Sequence, residues 1–163
     1  MADEIIRAAF KVAERWLYNL TKWKAEIEVM LENQNDHSSK ITAGYSPGIG
    51  GSGTTSDSTS LRAAIILIEE DKLPVLQSKV RMMDAAIDSL GDDQRQLVKL
   101  KYVKCWTNQS CWEHMRLSES DFYRERRKAV GRIAEVMLNA DQFLVEVDRH
   151  LGKNEIDRNL TGI

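Results

Sequence analysis

An all-α fold is what this chain predicts, and three observations carry it. Apolar residues recur in alternating steps of three and four along most of the sequence, which is the spacing of one helical face. Nowhere do apolar and polar residues alternate singly, as they would along a half-buried strand. The two prolines, Pro47 and Pro74, leave nearly every candidate helix free of a residue that lacks a backbone donor. With 163 residues, 42% of them hydrophobic and 29% charged, the chain can bury a real core and has an ordinary globular composition. No segment approaches about eighteen uncharged apolar residues, so no membrane partner is expected. The opening MADEIIRAAF contains acids and no apolar stretch, which does not fit a signal peptide and implies a cytoplasmic location.

Residues 1–33 read as one long amphipathic helix. Ile6, Ala9, Ala13, Trp16, Leu20, Trp23, Ile27 and Met30 form its seam, with Lys, Arg and Glu elsewhere. Two tryptophans on one seam require a partner helix. Residues 34–59, rich in Gly, Ser, Thr and Asn, read as a flexible linker. Its glycines are not a phosphate loop, because no lysine follows the last glycine and no buried strand precedes it. Asp57 and Ser58 are candidate N-caps for a helical connector over 60–90. The connector's seam is Leu61, Ile65, Ile68, Val75 or Leu76, Val80, Met83, Ile87 and Leu90, with a break expected near Asp71–Pro74. Gly91 ends it, and Asp92 and Asp93 open a helix whose apolar face is Leu97, Leu100, Tyr102 and Val103.

Residues 91–136 carry the feature that points to function. Thr107 can cap a short helix, Asn108–Met115, and Arg116 and Leu117 supply a tight connection. Ser118 can then cap a second helix, with Asp121 completing part of a capping box. Leu117, Phe122, Ala129, Val130 and Ile133 have the spacing to pack inward. This is the layout of a helix-turn-helix, whose second helix presents its first turns to the major groove. Glu119, Ser120, Tyr123, Arg124 and Arg127 share that face, where Arg can pair with guanine and Ser or Glu with other bases. Arg116, Ser118, Arg126, Lys128 and Arg132 complete the expected DNA-binding set, the basic ones as phosphate contacts on the flanks. Charge agrees with the layout. Between Arg95 and Arg132 there are ten Lys/Arg against four Asp/Glu, within a chain whose net charge is -2. Basic faces are often merely solvated, but here the block coincides with the two-helix spacing.

The run LGDDQRQLVKLKY, followed by Thr107, MRLS, FYRERRKAV and Ile133-Ala134, resembles region 4 of bacterial sigma factors. It is still more similar to phage late-gene regulators of the ArpU and RinA type. The SDSTSLRAAIILIE segment and the Trp16-Leu17-Tyr18 patch in the first helix resemble further features of those regulators. Membership would imply a DNA-binding transcription regulator, an activator of phage or prophage late genes, with double-stranded DNA and host RNA polymerase as partners. The chain departs from the family pattern at three places. Trp112 stands at a position usually small, Cys111 at one usually branched and aliphatic, and Cys105 at a glycine-like one.

Val130, Ile133, Met137, Ala140, Leu144, Val147 and Leu151 continue the three–four pattern, so the second helix is expected to run on through 137–163 and end in a frayed tail. The seams of the first and last helices suit packing within one chain or between copies, and a homo-oligomer is expected. A small terminase subunit, which also joins a helix-turn-helix to oligomerising helices, is the alternative function. Such proteins by resemblance place the DNA unit first, the reverse of the order here. No enzyme is expected, since His37, His114 and His150 are scattered and no nucleophile–base pair is legible. Cys105, Cys111 and His114 match no common zinc spacing, so neither metal nor cofactor is expected.

Overall fold

The computed structural model describes the backbone of residues 2–41 and 57–161, and side chains over 2–36, 61 and 64–152. It is all-α, with no strand among the described residues. The helices are α1 (Ala2–Ile41), α2 (Asp57–Asp88), α3 (Asp92–Val98), α4 (Asn108–Met115), α5 (Glu119–Met137) and α6 (Asp141–Thr161). Among the described residues no helix is long and apolar enough to cross a membrane. Two compact units divide the chain: Met1–Thr21 together with Lys79–Ile163, and Lys22–Ser78.

The smaller unit pairs the second half of α1 with the first half of α2. Met30, Leu73 and Leu76 are its buried residues, and Trp23 and Ile27 pack against them. Glu26 ties the helices electrostatically, with Lys72 at 3.0 Å and Lys22 at 3.7 Å. The hydrogen bond from Lys72 is the main reason its carboxyl lies below the usual range. The expected α2 seam is out of phase here. Leu61, Ile65 and Ile68 are exposed, and of the pair Val75 and Leu76 it is Leu76 that turns inward. A helix rich in aliphatics on several faces offers more than one three–four series, and the partner decides which is buried.

The larger unit buries a broad face of α1 comprising Ala8, Ala9, Val12, Ala13, Trp16, Leu17 and Leu20, whereas Ile6 stays exposed. Trp16 meets Phe143 of α6 edge to face, with ring centroids 5.3 Å apart. Its indole Nε1 donates to Glu146 Oε2 at 2.9 Å, and Arg15 reaches the same oxygen at 2.7 Å. Lys79 donates to the other oxygen and lies over the Trp16 ring, 4.8 Å from its centroid. Burial raises the Glu146 pKa, but the bonds from Lys79 and Trp16 and the charges of Lys79 and Arg15 outweigh it and leave the carboxyl below its ordinary value.

Several boundaries differ from expectation. The first helix continues to Ile41 and the second begins at Asp57, so both ends of the expected 34–59 linker are helical; its centre, and the capping role of Asp57 and Ser58, lie outside the described residues. α2 passes through Pro74 without a break, because the proline ring is exposed and flanked by buried Leu73 and Leu76, whose packing holds the helix. The second helix of the basic unit does not run on. It stops at Met137, and a turn at Leu138–Ala140 precedes α6, with the Ala140 N–H bonded to the Met137 carbonyl at 2.9 Å. Three turn residues replace about one helical turn, so the apolar period survives the interruption. The expected frayed tail is helical to Thr161. Of the residues expected to help join two copies, Trp16, Leu20, Met137 and Val147 are buried within one chain, whereas Leu144 is exposed.

Two outcomes follow. Pro74→Ala restores a backbone donor to the Glu70 carbonyl and should stabilise the protein by about 1–3 kcal/mol, read from the urea midpoint; a loss would show that the proline is required. Glu146 has a depressed folded pKa, so its contribution is fully present above its unfolded value of about 4.3 and is lost as pH falls through the lower folded value. Unfolding free energy should therefore drop below about pH 4, and Glu146→Gln should flatten that acid limb.

Candidate nucleic-acid interface

The α4–turn–α5 segment is closed by its own polar side chains at each junction. Thr107, in extended backbone, caps α4 by accepting from the Ser110 N–H at 3.1 Å. At the other end Arg116 adopts the left-handed conformation, φ 54° and ψ 39°. The Leu117 N–H bonds back to the Trp112 carbonyl at 2.9 Å and the Arg116 N–H to that of Glu113 at 3.2 Å. Ser118 returns to extended backbone and caps α5, accepting from the Asp121 N–H at 3.1 Å and donating to Asp121 Oδ2 at 2.7 Å. Both expected caps are present. Glu119 and Asp121 in the first turn add favourable charge at the positive end of the helix.

What holds this segment is a small core. Phe122 is fully buried with Leu97, Leu100 and Cys111, and Trp106, Trp112, Met115 and Leu117 pack around them. The fully buried side chain of α4 is thus Cys111, a small one, and Trp112 lies half-buried beside the ring of Phe122 at 5.9 Å. Burial pushes the Cys111 thiol pKa up, so it is a packing residue with little thiolate character. Cys105, at the glycine-like position, does have a left-handed φ of 54°. Tyr102 is buried as expected, but Val103 is exposed. The cause is a π-helical turn over Lys99–Val103, closed by the Lys104 N–H to the Lys99 carbonyl at 2.9 Å. Its wider spacing carries Val103 past the apolar face.

The expected site residues separate into three groups. Glu119, Ser120, Tyr123 and Arg127 are exposed along the first turns of α5, with Arg116 exposed in the turn before them and Arg132 further along. Among the described residues no ion pair is formed by Arg116, Arg127 or Arg132. Tyr123 is fixed in place, its hydroxyl accepting from Asn108 Nδ2 at 3.1 Å and its ring 6.3 Å from that of Trp112. A second group is exposed but engaged. Arg124 pairs with Asp121 at 2.5 Å, Lys128 pairs with Glu125 at 2.8 Å, and Ser118 is spent on its cap. The hydrogen bond from Lys128 is the leading reason that the Glu125 carboxyl is lowered.

Arg126 forms the third group alone, and it departs from the expected phosphate-contact role. Its guanidinium turns inward, donating from Nε to the Tyr102 hydroxyl at 3.0 Å and from Nη2 to Glu14. The Tyr102 hydroxyl donates to Glu14 Oε1 at 2.7 Å, and Tyr18 meets the Tyr102 ring at 4.8 Å. Burial, foremost, raises the pKa of Tyr102 and keeps it a neutral donor. Sequence reasoning missed this node because Glu14 stands 88 residues before Tyr102 and no local pattern relates them. Among the described residues no three His, Cys, Asp or Glu side chains gather as a metal site.

No protein-family model matches the chain, and neither a curated protein nor a solved structure does.

Arg126→Ala should lower stability by about 1–3 kcal/mol, since it leaves Glu14 with a weakened set of donors in a partly buried place. The change should appear in thermal unfolding, and Glu14→Ala combined with it should cost less than the sum of the two. Additive losses would show that the two groups act independently.

Proposed function

We propose that this protein is a sequence-specific, duplex-DNA-binding transcription regulator that lays the first turns of α5 into the major groove. The observation that carries this reading is the outward stripe of Ser120, Tyr123 and Arg127 on a helix whose start is capped by Ser118 and whose opposite face is locked by Phe122. Direct readout needs hydrogen-bonding groups on a rigid element that enters the groove, and an unspent arginine suited to guanine is the most informative of them. Arg116 adds support. A non-glycine residue in the left-handed region is held at a cost, and in a turn beside this stripe an exposed guanidinium is well placed for a backbone phosphate. The +6 balance between Arg95 and Arg132, ten basic against four acidic residues, supplies the attraction to a polyanion. The resemblance to phage late-gene regulators makes late-promoter activation the specific role proposed. No catalytic role is proposed.

Fluorescence anisotropy with genomic duplex fragments tests the reading. Binding should weaken steeply with salt, and Arg127→Ala should cost about 1–3 kcal/mol and relax discrimination at one base position. Arg116→Gly separates two roles of one residue: it relieves the backbone and should preserve or raise thermal stability while weakening DNA binding. Absence of duplex binding at low salt refutes the proposal. Sequencing the captured fragments decides the role, with promoter enrichment supporting regulation and enrichment at a packaging site opposing it.

A further inference from the structure

We propose that a surface pocket on the far side of α3 is a second contact for the DNA backbone, in which Lys99 and Lys104 hold phosphate; this rests on the duplex-binding reading of α4 and α5. The pocket, about 270 Å³, is lined by Arg95, Lys99, Lys104 and His114 together with Gln96, Leu100 and the single acid Asp92. Asp92 is already paired with Arg95, which in turn donates to the carbonyls of Asp88 and Leu90 at 2.8 Å and 2.9 Å. Lys99 and Lys104 are exposed and form no ion pair among the described residues.

Lys104 is also pre-positioned. Its ammonium lies over the Trp106 ring, 5.8 Å from the centroid, and Trp106 meets the His114 ring at 5.3 Å. The π-helical turn is what brings both lysines to this place, because Lys99 opens it and Lys104 follows its last residue. The pocket is continuous with the proposed DNA face. Gln96 and His114 line it and also line the neighbouring groove of about 490 Å³ that holds Arg116 and Arg124. That groove also carries Asp93, Asp121 and Glu125, of which Asp121 is paired with Arg124 and Glu125 with Lys128, so the path from the turn before α5, past the end of α4, to the π-helical turn is marked by Arg116, Lys99 and Lys104. Such a path fits a backbone running beyond the bases that α5 reads, and it carries no sequence information itself.

The test uses the full-length protein and a fluorescein-labelled random-sequence duplex, with affinity followed across salt concentrations. Removing two phosphate contacts should reduce the magnitude of the log–log salt slope by about 2 in Lys99→Ala/Lys104→Ala, while Lys99→Arg/Lys104→Arg should retain the wild-type slope. The double variant Arg7→Ala/Lys11→Ala removes two exposed charges from the same unit and should leave the slope unchanged. An alanine pair that binds like wild type overturns the pocket alone and leaves the α5 reading intact. An equal slope change in the Arg7/Lys11 control also overturns it, by showing an effect of net charge. A wild type that binds no duplex overturns both.

Discussion

Phe122 lies in the first turns of α5, fully buried among Leu97, Leu100 and Cys111, and much of the larger unit depends on that one insertion. An aromatic ring at this place sets the rotation of α5 about its own axis. With Phe122 inward, the positions one, two and five residues away must point elsewhere, which turns Ser120, Tyr123 and Arg127 to solvent. Loss of such a ring typically costs about 3–5 kcal/mol, a large part of the stability of a small unit. It would also release the rotation of the helix, so stability and presentation of the stripe are one constraint.

The second constraint is longer in range. Glu14, Tyr102 and Arg126 bring α1, the π-helical turn and α5 together through hydrogen bonds that are partly shielded from water. Charge-assisted bonds of this kind are strong because each group would otherwise remain poorly solvated. Their geometry explains why the first half of α1, up to Thr21, belongs to the same compact unit as the basic segment. It also explains why one arginine in the basic run Arg126-Arg127-Lys128 faces inward: Arg126 is four residues after Phe122, on the same side of the helix.

Glu146 plays a comparable part between α1, α2 and α6, accepting from Arg15, Trp16 and Lys79. Together with the Trp16–Phe143 contact it holds the first half of α1 against α6, burying Trp16, Leu20 and Val147 while Ile6 and Leu144 stay exposed. The large apolar side chains that remain outside in α2 are Leu61, Ile65, Leu67, Ile68 and Val75. They are the side of α2 that the hairpin with α1 does not need.

Local chemistry in the sequence determined the all-α class, both caps of the two-helix segment and the inward set of Phe122, Ala129, Val130 and Ile133. Each follows from neighbours within one or two turns. A serine or threonine before a helical period satisfies orphan backbone donors wherever the helix later packs. The left-handed backbone of Cys105 was not legible locally, since a cysteine carries no signal for that conformation; only the resemblance marked its position as glycine-like. Tertiary structure decided what period alone leaves open. It chose between two equally periodic faces of α2, kept α2 continuous through Pro74, and ended α5 at Met137 without disturbing the phase of the apolar residues. It also sorted the basic residues into spent and unspent: Arg126 to Glu14, Arg124 to Asp121, Lys128 to Glu125, with Arg116, Arg127, Lys99 and Lys104 left facing solvent. An arginine has the same charge in every context, and only its distance to a carboxylate elsewhere in the fold decides whether that charge is available.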